Sequence, residues 1–375
     1  MHSAALPSPD ARALAASRAL LERIGAELGR AGNWISFARY MELALHEPGL
    51  GYYAGGARKF GPGGDFVTAP ELTPLFGRTL ARQVAEILRP GEAILEFGAG
   101  SGALADALTS ELPGVKYEIL ETSSELKQRQ QQLLGKRARW LEQLPRKFRG
   151  VMIANEVVDA MPVHAVTWTS AGLMERGVCA DEGELAWSER PADRNLVESS
   201  SAVRIELPPS GRYESELALF ARLWMRSLAR LLERGALLVI DYGFPAREYF
   251  HPQRSMGTLA CHYRHRAHGD PFYLPGLQDI TAHVDFSALA QAATGAGLEV
   301  LGYTSQAQFL VNCGITELLE SEDPQDAKRY LPIAAAVQKL LMPTEMGELF
   351  KVLAVGRGVT GVPSGFRDGD RSGAL

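Results

Sequence analysis

The sequence predicts an α/β fold: a doubly wound, mostly parallel sheet, preceded by helices and interrupted by inserted loops and hairpins. Three observations carry this. Short apolar runs at Ala93 to Phe97, Tyr117 to Glu121, Val151 to Asn155 and Ala236 to Asp241 read as buried strands, and amphipathic or polar helical segments separate the first ones. That alternation is the pattern of a parallel sheet covered by helices. The first run passes directly into "GAGSG", a glycine turn between a strand and a helix that begins near Ala103. Polar residues then gather at the carboxyl ends of the runs, the edge at which open α/β sheets hold ligands.

The elements ahead of the sheet read as helix. Ala11 to Leu28 has apolar residues at helical spacing, and Ser36 is a candidate cap for a second helix, "FARYMELAL", which stops before Pro48. The glycine-dense "EPGLGYYAGGARKFGPGGDFVTAPE" is too irregular for core structure. Thr73 followed by Pro74 looks like an N-cap with proline in the first turn, opening "PLFGRTLARQVAEIL". Leu75, Phe76, Leu80, Val84, Ile87 and Leu88 give that helix one apolar face.

Two stretches interrupt the later alternation. Val163 to Leu207 has short alternating pieces such as "VHAVTWT" that suggest hairpins, and Phe244 to Val284, rich in His, Arg, Pro and Gly, reads as loops with little regular structure. After them come a helix ending in glycine ("FSALAQAATGAG"), a strand and its exit ("LEVLGYTSQAQFL") and a final strand ("ELFKVLAVGRG"). The end, "GVPSGFRDGDRSGAL", is polar and glycine-rich, with no obvious fold.

Composition narrows the class. The 375 residues are enough to bury a sizeable core, and 46% hydrophobic with 22% charged residues is ordinary for a soluble chain. No run approaches the ~18 apolar residues of a membrane span. The opening lacks the layout of a secretory signal and has few of the arginines of a transit peptide, so a cytoplasmic protein is expected. With 39 basic against 44 acidic residues, the net charge of −5 gives no reason to expect nucleic-acid binding. Cys179, Cys261 and Cys313 lie far apart without a C-x-x-C pair, which disfavours a disulfide framework or structural zinc.

The chemistry gathers around the glycines. Gly98, Gly100 and Gly102 occupy the first turn, where a dinucleotide pattern would place a further glycine at 103; Ala103 is tolerated there, so the glycines alone do not select the ligand. Glu96, just before the turn, would repel a pyrophosphate but could pair with a positively charged ligand such as S-adenosylmethionine. Glu121, 25 residues after Glu96, ends the second strand, where a carboxylate can accept both ribose hydroxyls. Further on, "ANEVVDAMPVHA" puts Asn155 and Glu156 at the end of a buried strand, with Asp159 and His164 beyond. Glu156 and Asp159 could grip a guanidinium, orient it and help draw off its proton. Alternatively, Asp159 caps a turn and His164 is a packed or exposed strand residue.

Six separated stretches carry a resemblance: "YMELALHEPGLGYYA", "GDFVTAPELTPLFG", "LEFGAGSG", "NEVVDAMPVH", "IDYG" and "DITAHVDF". In them the chain resembles the MidA-like S-adenosylmethionine-dependent methyltransferases, whose mitochondrial members are complex I assembly factors that methylate arginine. The resemblance implies a seven-stranded class I methyltransferase (Rossmann-like) sheet over residues 91–360, with insertions at about 163–207 and 244–284. It implies a helical arm over 1–90 covering the cofactor pocket and a polar tail over 361–375. S-adenosyl-L-methionine would be held by Glu96, Gly98, Gly100, Gly102 and Glu121, with Asp65, Phe66, Thr68 and Glu71 of the arm folded over it. Asn155, Glu156 and Asp159 match the substrate side, and Asp241, Tyr242 and Gly243 the next strand end. The family's glycine loop often reads G-P-G-R-G; Ala99 and Ser101 stand here instead, so contacts from that arginine are missing.

The implied activity is protein arginine N-methylation of a respiratory-complex-type protein, with a non-catalytic assembly factor and a nicotinamide-dependent oxidoreductase as rivals. A protein substrate is the expected partner, without nucleic acid or membrane, and the amphipathic first helix could pack on its own domain or on a second copy. The compartment would be the cytoplasm of a bacterium or the mitochondrial matrix of a eukaryote. Cys261, His262, His265 and His268 in "CHYRHRAH" could be imagined as metal ligands, but a substrate-contacting loop is preferred and no metal is expected. His283 and Asp285 could be site residues or merely a helix cap ahead of Phe286.

Overall fold

Strands β1 (Ala93–Phe97), β2 (Lys116–Leu120), β3 (Arg139–Leu141), β4 (Phe148–Asn155), β5 (Leu232–Phe244), β6 (Glu299–Ser305) and β7 (Phe350–Arg357) form the principal sheet of the computed structural model. The structure describes residues 6–55 and 68–375. The strands lie in the order β6-β7-β5-β4-β1-β2-β3, and the two-residue strand Val284–Asp285 adds beside the end of β5. The pairs from β5 to β3 are parallel, and β7 runs antiparallel to both its neighbours. This is the expected seven-stranded, mostly parallel, doubly wound sheet. The direction of winding reverses between β1 and β4, and the carboxyl ends of those strands therefore flank the crevice in which such sheets take ligands.

The chain divides into two compact units, and this sheet belongs to the one gathering residues 67–158, 222–245 and 284–375. Its strands are apolar because helices cover them: Ile94, Val151, Ile153, Leu238, Ile240 and Val352 are buried in one core with Phe76, Leu80, Val84, Leu104 and Leu108. The last five come from helices α4 (Pro74–Ile87) and α5 (Ala103–Glu111). The Thr73 hydroxyl accepts the Leu75 N–H at 3.3 Å, so α4 starts at the cap read from the sequence. Gly77 explains itself by packing: a Cβ there would lie 2.5 Å from the Ala107 Cβ, and only a glycine lets the two helices close.

The other unit gathers residues 1–66, 159–221 and 246–283. Helix α1 (Ala11–Arg30) is capped by Asp10, and α2 (Phe37–His46) by Ser36, whose hydroxyl accepts the Arg39 N–H at 3.1 Å. The apolar stripe of α1, Leu20, Ile24 and Leu28, is buried inside this unit with Phe37, Tyr40, Met41, Ala165 and Val178. The expected hairpins are present as antiparallel strands His164–Thr169, Gly172–Asp181 and Glu184–Pro191, joined by Arg212–Leu217. The helices of the first ninety residues are thus shared between the units.

Two expectations differ from the structure. The stretch Phe244 to Val284 holds a three-stranded antiparallel sheet, Ala260–Tyr263, Arg266–His268 and Asp279–Thr281, stabilised by buried Cys261, Tyr263 and Ile280. Its hairpin turns through Arg264 and His265, both left-handed at φ +48° and +61°, so no turn glycine announced it. The tail also folds back. Phe366 is buried against Phe309, the Gly365 N–H donates to Gln83 Oε1 at 2.7 Å, and Asp370 accepts the Tyr303 N–H at 2.9 Å.

Candidate cofactor and substrate site

The glycine turn is left-handed three times over, with φ +59° at Gly98, +53° at Gly100 and +86° at Gly102. Side chains rarely adopt that conformation, so these glycines are demanded by the backbone itself before any ligand is considered. Space adds to the demand: a Cβ on Gly98 would meet Val157 Cγ2 at 3.3 Å, and one on Gly102 would meet Leu133 Cδ2 at 3.3 Å. The turn is tied to the neighbouring strand by the Gly98 N–H, which donates to the Leu120 carbonyl at 3.0 Å.

Two carboxylates flank the turn, Glu96 buried and Glu121 half-buried. Glu96 is only 3% exposed, and the Tyr117 hydroxyl donates to its Oε2 at 2.7 Å. Burial pushes its acid up to about 8; the Tyr117 hydrogen bond opposes that, and the neighbouring Glu121 adds to it. Glu121 is also raised by burial, offset by donors on its oxygens: the Ser123 N–H at 2.9 Å, the Gln130 side-chain amide at 3.0 Å, and the backbones of Thr122 and Gly100. Gln130, from helix α6 (Ser124–Leu134), donates as well to the Gly100 carbonyl at 2.9 Å and accepts the Trp140 indole N–H at 2.8 Å. Sequence reasoning missed Gln130 and Trp140.

Among the described residues no basic side chain forms a salt bridge with Glu96 or Glu121. A ligand with a cationic end and a vicinal diol fits that gap; a pyrophosphate beside Glu96 does not. The residues present therefore suit S-adenosyl-L-methionine.

Across the crevice, the end of β4 is held under strain. Glu156 is left-handed at φ +53°, a conformation that costs a non-glycine residue about 1 kcal/mol or more. Its N–H donates to the Ile240 carbonyl at 2.9 Å, and its Oε1 accepts the Ala69 N–H at 3.1 Å and the Asn155 side-chain amide at 3.2 Å. Asp241 fixes the turn that follows, accepting the N–H groups of Val157 at 3.2 Å and Val158 at 2.9 Å on Oδ2 and that of Tyr242 at 3.0 Å on Oδ1. Its carboxylate thus accepts three backbone N–H groups. Asn155 Oδ1 and Glu71 Oε2 are buried without a hydrogen-bond partner among the described residues.

The remaining expected residues fall in both units. Thr68 precedes the short helix α3 (Ala69–Leu72) without a side-chain cap bond, and Asp65 and Phe66 lie outside the described residues. Asp159 begins a stretch of the other unit; it is buried, its carbonyl accepts the Ala282 N–H at 3.0 Å, and its charge is felt by Tyr53. His164 opens a strand there, its Nδ1 2.9 Å from Glu175 Oε1. Asp285 caps the helix Phe286–Thr294 through the Ala288 N–H at 3.0 Å. Cys261 and His262 are successive strand residues and so face opposite ways, while His265 sits at the hairpin turn. Among the described residues no group of three or more His, Cys, Asp or Glu is placed to hold a metal ion.

A sheet of this order, whose first turn is left-handed at each of its three glycines and is followed one strand later by a carboxylate, is that of a methyltransferase that takes its methyl group from S-adenosyl-L-methionine. The comparisons agree. Residues 75–304 match the family described as "Putative S-adenosyl-L-methionine-dependent methyltransferase", and the chain belongs to that family; S-adenosyl-L-methionine is its cofactor. It is 30% identical to the zebrafish (Danio rerio) "Protein arginine methyltransferase NDUFAF7, mitochondrial", over 90% of this chain and 87% of that protein. Its identity to the human (Homo sapiens) protein of that name is 28%, over 86% and 80%. A crystal structure from Burkholderia thailandensis bound to S-adenosyl-homocysteine is 50% identical, with a TM-score of 0.94 covering 99% of this chain and 100% of that one.

Proposed function

We propose that this methyltransferase acts on arginine side chains of a protein, with Asn155, Glu156 and Asp159 on the acceptor side. Two things support the reading: relatives named as protein arginine methyltransferases, similar over most of this chain, and Glu156 itself. Glu156 carries the argument: it stands at the carboxyl end of β4 with a strained backbone, and its carboxylate is oriented by the Ala69 N–H and the Asn155 amide.

The cofactor, when bound, supplies an electrophilic methyl group on a sulfonium. The chain supplies the rest. Glu96, Gly98, Gly100, Gly102, Glu121 and Thr68 would hold the cofactor, and Asp65, expected with them from the sequence, lies outside the described residues. Glu156 would draw the positive charge of the acceptor guanidinium toward the nitrogen it binds, which leaves another nitrogen more nucleophilic for attack on the methyl group, and would take up the one proton lost from the bound nitrogen after transfer. The acceptor class that fits the family resemblance is a respiratory-complex protein, in the cytoplasm of a bacterium or in mitochondria, as the names of the animal relatives have it.

The test is methyl transfer from labelled S-adenosylmethionine to proteins of a lysate from the source organism, followed by hydrolysis and identification of methylarginine. Glu156→Gln keeps the acceptor for Ala69 and removes only the charge. Transfer is expected to fall about 10²-fold or more, with cofactor affinity within roughly threefold of the parent. Lost cofactor binding in this variant would overturn the division of roles. Cofactor binding with no methylated product would favour a non-catalytic assembly factor instead.

A further inference from the structure

We propose that Gln130 is a positioning residue for the cofactor, which sets how the Glu121 carboxylate meets the ribose. The proposal rests on the reading that Glu121 holds the ribose hydroxyls, and it adds the group that aims it.

The Gln130 side chain is fully buried and its amide is saturated. Indole N–H is a donor only, so the bond from Trp140 at 2.8 Å fixes which end of the amide is oxygen. Both N–H groups are then committed, one to the Gly100 carbonyl at 2.9 Å and one to Glu121 Oε2 at 3.0 Å. A single planar group thus joins the turn after β1 to the acid after β2. Glu121 Oε1 is occupied by the Ser123 N–H at 2.9 Å, and with the Thr122 and Gly100 backbones also facing the carboxylate, the Gln130 amide is the one side-chain donor among these that fixes its rotation. Gly102 lies against the same side chain: a Cβ there would be in van der Waals contact with Gln130 Cγ at 3.5 Å. In water a rotating carboxylate would lose orientational entropy on binding a diol; here that loss is taken at folding.

A merely structural glutamine would lower stability and weaken every ligand alike. A positioning glutamine acts only through the ribose. The experiment is calorimetric titration of the full chain with S-adenosyl-homocysteine and with its 2′-deoxy and 3′-deoxy forms, for the parent, Gln130→Met, Glu121→Ala and the double variant. Gln130→Met is expected to weaken S-adenosyl-homocysteine by about ten- to a hundredfold, the range of a hydrogen bond to an ionised group. The parent should lose affinity for the deoxy forms, the variant little more, and the double variant should bind no worse than Glu121→Ala alone. Equal weakening of all three ligands by Gln130→Met overturns the proposal while leaving the ribose reading intact. A parent that binds the deoxy forms as tightly as S-adenosyl-homocysteine overturns both. Should Gln130→Met fail to fold, Trp140→Phe removes the orienting donor while keeping an aromatic ring and must give the same ribose-dependent pattern, at roughly two- to fivefold; a ribose-independent loss overturns it.

Discussion

Glu96 is a stability cost placed at the cofactor turn. Its ordinary value is 4.5 and burial raises it to about 8, so between those values the folded state binds more protons than the unfolded one, and stability falls as pH rises. Glu96→Gln is therefore expected to stabilise the ligand-free protein by an increment that grows from about pH 4.5 and levels off above about pH 8, reaching on the order of a few kcal/mol. Urea unfolding across that range checks it, and an increment that shrinks with pH would refute it. The same variant should bind S-adenosylmethionine less tightly. Asp241→Ala strands the N–H groups of Val157, Val158 and Tyr242, and a loss of roughly 1–3 kcal/mol in urea unfolding is expected. At this scale the sequence showed the glycines, Glu96, Glu121, Asn155 and Glu156, because each stands at a strand end. It hid Gln130, which lies in a run with Gln128, Gln131 and Gln132 and differs from them only in the direction its helix turns it. It also hid that Asp241 serves backbone.

Among the elements, the helices with caps were legible from residue type alone: Ser36 and Thr73 do locally what their chemistry predicts. The hairpin through Arg264 and His265 was not, because its left-handed turn is held by the burial of strand residues distant in sequence. Nor was the docking of the tail, where one aromatic among glycines carries the contact. A Cβ on Gly302 would lie 2.2 Å from the Phe366 ring, so the tail packs directly on the backbone of β6. Phe366→Ala is expected to cost about 3–5 kcal/mol, as for a buried phenylalanine in a core. A change below about 0.5 kcal/mol in denaturant unfolding would mean that the Phe366 contact contributes nothing to the fold.

The whole molecule interleaves its two units along the chain, three stretches to each, and each unit has its own apolar core. Periodicity identified helical members of both cores, such as Leu80 and Leu20, but not those from stretches read as loops or tail, such as Ile280 and Phe366, nor the partition, which depends on contacts between residues far apart in sequence. The residues assigned to the methionine and ribose ends of the cofactor, at 96–102 and 121, all fall in the unit of the principal sheet. S-adenosyl-homocysteine at a hundred times its dissociation constant is expected to stabilise the protein by about 2.7 kcal/mol. Amide exchange should slow most over residues 98–130; protection confined to residues 160–220 would contradict the assignment.

The order of the strands also has a consequence for synthesis. β7 is the last of the seven to be made and takes a place between β5 and β6, not at an edge. A ribosome emitting this chain releases β5 more than a hundred residues before the strand that covers its free side. Until then β5 offers an open row of N–H and C=O groups flanked by apolar side chains, the surface through which nascent chains adhere to one another. A stalled or truncated product lacking residues 350–357 would keep that gap permanently, and the nascent protein has most need of a holding chaperone in the interval before the gap closes.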